Sequence, residues 1–411
     1  MKQTLQTSIW AHRDIRLVLP ARALSYAGDS IALIALMLRV SDGHGPAAVT
    51  ALLLAFAVPT VAMIPFAGRI VDGYDSRTVL VWSGLLQVAA GVGLAFVHDL
   101  VGTLVLVCVL QVGQAVAGPA WGALIPRIVG EELVGRTTGT SQALIGVATL
   151  AGSAAGGVLV GWAGTRGALL VDASTFLVLV VVARLVRTRR CPEPGSEVEK
   201  GSVAAGLHAI FDDGILRILV PALWLFVVVG EAVNVVEVFL ITGELGLGPG
   251  LYGAAGAATG AGAIAGAWYT GRLRSDRARS AAVVAGMAGI GGSCVLIGLA
   301  ANLATLMIGA TAIGIASGML NASANALVVT RSAEALRGRV IAALNGTVRS
   351  FSILAMLLGG LAGALLGPRG TFVTCGVACA AAAFGAGVLV LRSKEPVAGQ
   401  TKDSELEALS H

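Results

Sequence analysis

A chain of 411 residues, 56% hydrophobic and only 12% charged, with a mean hydropathy of +0.85, carries about half the charge that a water-soluble fold keeps. That excludes a soluble globular enzyme or binding domain, whose apolar core would still need a polar shell. The 28 Lys and Arg exceed the 23 Asp and Glu to give +5, but the basic residues lie in short loops between apolar runs. This is a topology signal and not the basic face of a nucleic-acid binder.

A helix needs about 20 apolar residues to cross the hydrocarbon core. Charge-free runs of that order cover 43–68, 78–97, 100–126, 137–165 and 245–271, and the run 280–330 holds no Asp, Glu, Lys or Arg at all. Adding runs that contain isolated charges predicts twelve transmembrane helices. The continuous apolarity, without alternation, excludes a β-barrel.

Span one (17–40) holds Arg22 and Asp29, and has no small-residue cleavage site, so it is expected to remain as a span. Span two (47–66) leads into the polar stretch 68–77, with span three at 78–97. Span four (102–125) carries Gln111 and Gln114, and spans five and six cover 137–161 and 167–186, with Asp172 in the latter. The polar segment 187–214 divides the chain into a six-helix bundle over 15–186 and another over 215–392. The second part of that segment (Leu207, Ile210, Phe211, Ile215) has the pattern of an interfacial helix. Span seven (217–242) brings Glu231, Asn234 and Glu237, and span eight (250–271) is a run of glycine and alanine. Spans nine (280–299) and ten (303–328) follow, the latter with Asn321 and Asn325. Arg349 lies in span eleven (339–364), span twelve is 370–391, and a polar tail over 393–411 is expected to be disordered.

Basic residues alternate from loop to loop. Arg13, Arg16, Arg69, Arg77, Arg127 and Arg136, the cluster Arg184–Lys200, then Arg272–Arg279, Arg331, Arg337, Arg339, Arg392 and Lys394 fall on one side. Only Arg166 and Arg369, with Arg39 near them, fall on the other. The positive side is expected to be cytoplasmic, with both termini inside, in a bacterial cytoplasmic membrane. Trp82, Trp121, Trp162 and Trp268 stand near span ends, as an aromatic belt does.

The halves share one register. Gly68 and Gly271, Arg136 and Arg339, and Gly156 and Gly359 are each separated by 203 positions. Duplicated six-helix units place a substrate site between the repeats near the midplane. Within Gly253–Gly266, the pairs Gly256/Gly260 and Gly262/Gly266 have the four-residue spacing that lets helices approach closely. This reading is preferred to a dinucleotide loop, because no strand precedes the run. Four of the five cysteines sit in apolar runs as small hydrophobes, and their spacing provides no metal-ligand set.

An ionisable group within a span is costly, so each one is a functional candidate. Asp29 follows Gly28 as Glu231 follows Gly230, an equivalence between halves. A carboxyl held away from water can take up and release a proton as access alternates, so Asp29, Glu231 and Glu237 are proton-coupling candidates, with Arg349 as a counter-charge. Arg22, Gln111, Gln114, Asn234, Asn321 and Asn325 are candidate cavity residues, with interhelical hydrogen bonding as their alternative role.

The stretch Gly68-Arg69-Ile70-Val71-Asp72-Gly73-Tyr74-Asp75-Ser76-Arg77 resembles the loop signature of the major facilitator superfamily. The first Gly, the Asp and the last basic residue match, while Gly73 and Asp75 depart from it. A degraded copy runs from Gly271 to Arg277. Ser25, Gly28 and Asp29, with Gly118-Pro119-Ala120, Ile125-Pro126-Arg127 and Glu132-Leu133, are similar to the drug, macrolide and siderophore exporter branch. Gly152–Gly157 resembles an antiporter motif with Ser153 in place of Pro, although the arginine common in span four of proton-driven exporters is absent. The resemblance implies an all-α polytopic membrane protein of two pseudo-symmetric bundles, with spans one, four, seven and ten around a cavity. It also implies a gating loop built on Gly68, Asp72 and Arg77. The expected function is proton-coupled efflux of small amphipathic compounds by a monomer embedded in lipid, without a cofactor or nucleic acid. A nutrient importer of the same fold is the alternative, and a non-transporting membrane protein is a third reading.

Overall fold

The computed structural model describes residues 8–188, 208, 210–331 and 337–392. Most of the expected linker and the whole expected disordered tail lie outside these residues, as does Leu207. Among the described residues every regular element is helical. A short 3-10 turn, Ile9–Ala11, precedes α1 (Arg13–Ser41), α2 (Pro46–Ala62), α3 (Ile64–Gly73), α4 (Ser76–Phe96), α5 (Leu100–Val129) and α6 (Glu131–Leu185). After the linker come α7 (Leu216–Val238), a π-helical turn (Phe239–Glu244), α8 (Pro249–Thr270), α9 (Asp276–Gly298), α10 (Leu303–Arg331) and α11 (Arg337–Arg392).

Among the described residues eight helices are long and apolar enough to cross a membrane, or nine if the bent pair α2 and α3 counts as one crossing. That pair is bent by 51° at Met63, just before Pro65, whose ring cannot continue the hydrogen-bond ladder of the preceding turn. The same bend makes Gly68–Gly73 helical, where the sequence suggested a loop. α6 reverses at Gly164 (φ 70°, ψ 175°) and α11 at Gly367 (φ 70°, ψ 174°). Only glycine adopts that backbone without strain. The two reversals are themselves 203 positions apart, so the register found in the sequence extends to backbone geometry.

Many large apolar side chains face outward along the helices, among them Val101 (71% exposed), Leu365 (73%) and Phe384 (77%). In water such a surface drives association; against acyl chains it costs nothing. Trp82, Trp162 and Trp268 are exposed as an aromatic belt requires, and Arg272 lies 3.5 Å over the Trp268 ring. Trp121 does not belong to that belt, because it is buried inside the bundle at 4% exposure.

α1 packs along α6, and α7 along α11; α8 packs on α10. Glycines at these seams remove the side chains that would hold the backbones apart. Gly152 faces the backbone of Ala27, and Gly156 that of Ile31. The glycine pairs of α8 serve two partners. Gly262 and Gly266 meet α10 at Thr311 and Ile315, while Gly256 and Gly260 meet Ser153 and Leu150 of α6.

Contacts between the two sets of helices run through α6 with α8 and α2 with α11. The described approaches cluster away from the face where α1 begins. Gly157 meets Pro249 and Gly253, Gly360 meets Thr50, and Gly363 meets Pro46. Thr50 Oγ1 donates to the Met356 carbonyl at 3.4 Å. Toward the face where α1 begins, Gly139, Gly146 and Gly346 have nothing within 4 Å.

Each set is tied at that face by polar clasps. Asp14 Oδ2 accepts from Arg187 N, Thr188 N and Thr188 Oγ1 at 2.9–3.1 Å, and Arg77 donates to the Val186 carbonyl. In the second set Arg331 bridges Asp213 (3.0 Å) and Asp276 (3.4 Å), while Asp213 also caps α7 through Ile215 N and Leu216 N. Ile210 is fully buried and Phe211 packs edge-on to Trp224 at 6.2 Å. The described part of the expected interfacial segment is therefore docked against α7.

Candidate functional site: a chamber between the helix sets

A cavity of about 410 Å³ opens between the sets, lined by residues of α1, α2, α6, α7, α8, α9, α10 and α11. Its wall is largely apolar, with Met37, Leu53, Phe226, Ile290 and Phe372. Ser153, Asn234, Tyr252, Thr259 and Ser317 supply neutral polar groups. Among the described residues of that wall, Glu237 alone carries a formal charge, and no Arg, Lys or His is present. Of the two acids of α7, Glu237 lines the chamber and Glu231 does not.

Glu231 points toward α11. Ser352 Oγ donates to its Oε1 at 3.1 Å, and Asn234 Nδ2 to its Oε2 at 3.4 Å. Asn234 therefore reaches both the chamber and this carboxylate. Arg349 is exposed and forms no ion pair with Asp29 or Glu231 among the described residues, so the expected counter-charge pairing is not present in this conformation.

Asp29 is half-buried and turns toward α5. Gln114 Nε2 approaches its Oδ2 at 3.5 Å, and Gln114 Oε1 accepts from Gln87 Nε2 at 2.7 Å. Gln87 is 1% exposed, so an amide from α4, which the sequence reading did not single out, fixes the orientation of Gln114. Gln111 is spent on structure: its Nε2 donates to the Phe56 carbonyl at 3.0 Å, steadying α2 near Pro59. Arg22 lines a much smaller cavity with Ser25, Tyr26, Gln114 and Trp121. Asn321 and Asn325 bond back to Ser317 and Asn321 carbonyls of their own helix and are exposed.

Within the 68–77 stretch Asp75 caps the start of α4, its carboxylate accepting from Arg77 N (2.9 Å) and Thr78 N (3.2 Å). Asp72 is half-buried near the end of α3, Gly68 is exposed with open space beside it, and Arg77 is committed to the Val186 carbonyl. Asp172 of span six follows the reversal at Gly164. It is 1% exposed and pressed against α1 at Gly28.

This multi-pass helical chain, with two glycine-seamed helix sets and a chamber between them, belongs to the Major Facilitator Superfamily. The family's sequence model matches residues 18–240 and 225–410. The MFS-type transporter YfiS of Bacillus subtilis is 25% identical over 379 residues, spanning 89% of this chain and 90% of the relative. The multidrug efflux pump Tap of Mycobacterium tuberculosis is 25% identical over 382 residues, spanning 87% and 88%. A POT family transporter, solved in complex with 5-aminolevulinic acid, shares the fold with a TM-score of 0.75 at 11% identity, covering 94% of this chain and 98% of that one.

Proposed function

We propose that this protein exports small amphipathic compounds, cationic ones above all, in exchange for protons. The observation that carries this reading is the chamber between the helix sets, whose described wall is neutral and apolar apart from the carboxylate of Glu237. An apolar surface of this kind accepts varied ring systems by dispersion and desolvation, with few directional demands. A lone carboxylate at low effective dielectric favours a cation strongly, or else takes a proton. Occupancy by one or the other makes the two alternatives mutually exclusive at that site, which is the requirement for exchange. The relationship to an efflux pump such as Tap supports the outward direction.

In this reading the chain crosses the bilayer twelve times, α6 and α11 each contributing two crossings divided at Gly164 and Gly367. Residues 15–186 and 215–392 form the two rocking units. The face where α1 begins, rich in arginine, is cytoplasmic. The present conformation is inward-facing: the units touch near the outer ends at Gly157 and Gly253, and part toward the inner face. Glu237 takes the proton that competes with the substrate cation, Asp29 and Glu231 bear further coupling protons, and the 68–77 turn braces the inner end of the first unit.

A panel of toxic amphipathic cations and neutral analogues, applied to a bacterial strain lacking its own exporters, tests the substrate class. Expression of the chain is expected to raise tolerance to the cations by at least fourfold and to the neutral analogues less. Increased sensitivity, with cellular accumulation of the same compounds, would mean import and would overturn the proposed direction.

A further inference from the structure

Asp172 lies in the part of α6 that follows the reversal at Gly164. Its side chain is 1% exposed, and Oδ1 has neither solvent contact nor a hydrogen-bond partner in the described structure. α1 crosses it at Gly28. A Cβ on that glycine would stand 2.7 Å from Asp172 Oδ1 and 2.6 Å from Thr175 Oγ1, so no side chain fits between the helices here. The next residue along α1 is Asp29, so the two carboxyls flank one seam glycine. From the other side Asp29 meets the amide relay of Gln114 and Gln87. That relay contributes hydrogen bonds but no positive charge.

The described cations on the helices packed around this point are held elsewhere or lie at a distance. On α1, Arg22 and Tyr26 face the small neighbouring cavity, and Arg22 is seven residues away, about 10 Å along the axis. Arg39, further out, bonds to the Leu94 and Val97 carbonyls and to Thr103 Oγ1. The one charge on α4, Arg77, is held at the Val186 carbonyl. α5 presents Cys108 six residues beyond Gln114, and its Arg127 is at the far end. On α6, Arg166 lies 4.2 Å over the Phe96 ring. Across the chamber, Glu237 adds a further acid and no cation.

Two neighbouring carboxylates with no counter-ion and little water do not both remain ionised. We infer that Asp29 and Asp172 form a carboxyl pair holding one proton between them, Asp29 exchanging it with the water-accessible side and Asp172 retaining it inside the helix set. The transfer is balanced. The proton leaves one Oδ for the other, the negative charge moves the opposite way, and no further reactant is consumed. Asp172 is thus a positioning and proton-holding residue acting through Asp29, with no contact to substrate. The inference deepens the proton-coupling proposal and rests on it for its physiological meaning.

Infrared difference spectra of the full chain in liposomes, recorded across pH steps, read the C=O stretch of protonated carboxyls directly. The wild type is expected to show a band lost in both Asp172→Asn and Asp29→Asn. In Asp172→Asn, the remaining Asp29 is expected to titrate at least one pH unit lower, because the neighbouring acid is gone. The Asp29→Asn variant reads the same pair from the other side and does not require a change at the buried position. If each substitution leaves the other group's titration within about 0.3 pH unit, Asp172 is a packing residue and the pair is overturned. The two readings fail separately. Proton-driven transport abolished by Asp29→Asn, with independent titrations, would sink the pair alone. A coupled titration in a chain that moves substrate without protons would sink the coupling proposal alone.

Discussion

Glu237 and Asp75 illustrate how differently two acidic side chains act in one chain. Asp75 ends a turn and satisfies two free N–H groups at the start of α4, a capping role worth about 1 kcal/mol. Asp75→Ala is expected to lower stability by that amount in a denaturant titration of the purified protein, while binding of substrate is unchanged. Glu237 lies in the chamber wall, where a charge-assisted contact is worth about 1.5–3 kcal/mol. Glu237→Gln is therefore expected to weaken binding of an amphipathic cation about 10- to 100-fold, and to leave a neutral analogue of the same shape within about twofold. Equal losses for both ligands in equilibrium binding would show that the carboxylate shapes the chamber without selecting charge. The presence of costly acids was legible from composition, since an ionisable residue stands out in an apolar run. Their facing was not. Asp172 was given no partner and Gln87 was passed over, because a residue's partner across a helix seam depends on where small residues such as Gly28 allow the backbones to meet.

At the scale of the helices, glycine decides which surfaces touch. The four-residue spacing in α8 announced close packing, but two such stripes on one helix imply two partners, and spacing alone does not assign them. α10 takes Gly262 and Gly266, and α6 takes Gly256 and Gly260. Gly157 is more consequential, because its neighbour Gly253 belongs to the other helix set, and an added Cβ would stand 2.9 Å from the Gly253 Cα. Gly157→Leu is expected to wedge the sets apart at this end and reduce transport at least tenfold while the chain still folds. Spin labels on α6 and α8 at that end would report a lengthened distance. An unchanged distance with normal transport would remove this seam from the account. The break between α2 and α3 was not foreseen: Pro65 was visible, but a proline permits either a kink or an end, and the packing of α3 on α5 settles on a 51° bend.

The whole molecule repeats itself at an interval that sequence landmarks already carried, and the paired reversals at Gly164 and Gly367 give that interval a structural counterpart. The symmetry is kept where helices turn and pack, and is lost where chemistry is done. The first set places Asp29 on α1 and Asp172 against α1 at Gly28, whereas the second places Glu231 on Ser352 and Glu237 in the chamber. A duplicated frame with unlike polar groups is what a carrier needs if each unit carries a proton site while the chamber carboxylate of the second receives substrate. The most direct test is uphill movement of a fluorescent amphipathic cation in proteoliposomes under an imposed proton gradient. The intact chain is expected to concentrate the dye until a protonophore is added, and Asp29→Asn and Glu231→Gln to allow only downhill exchange. Concentration of the dye that survives the protonophore, or that both substitutions leave at the wild-type rate, would contradict proton-coupled alternating access in this protein.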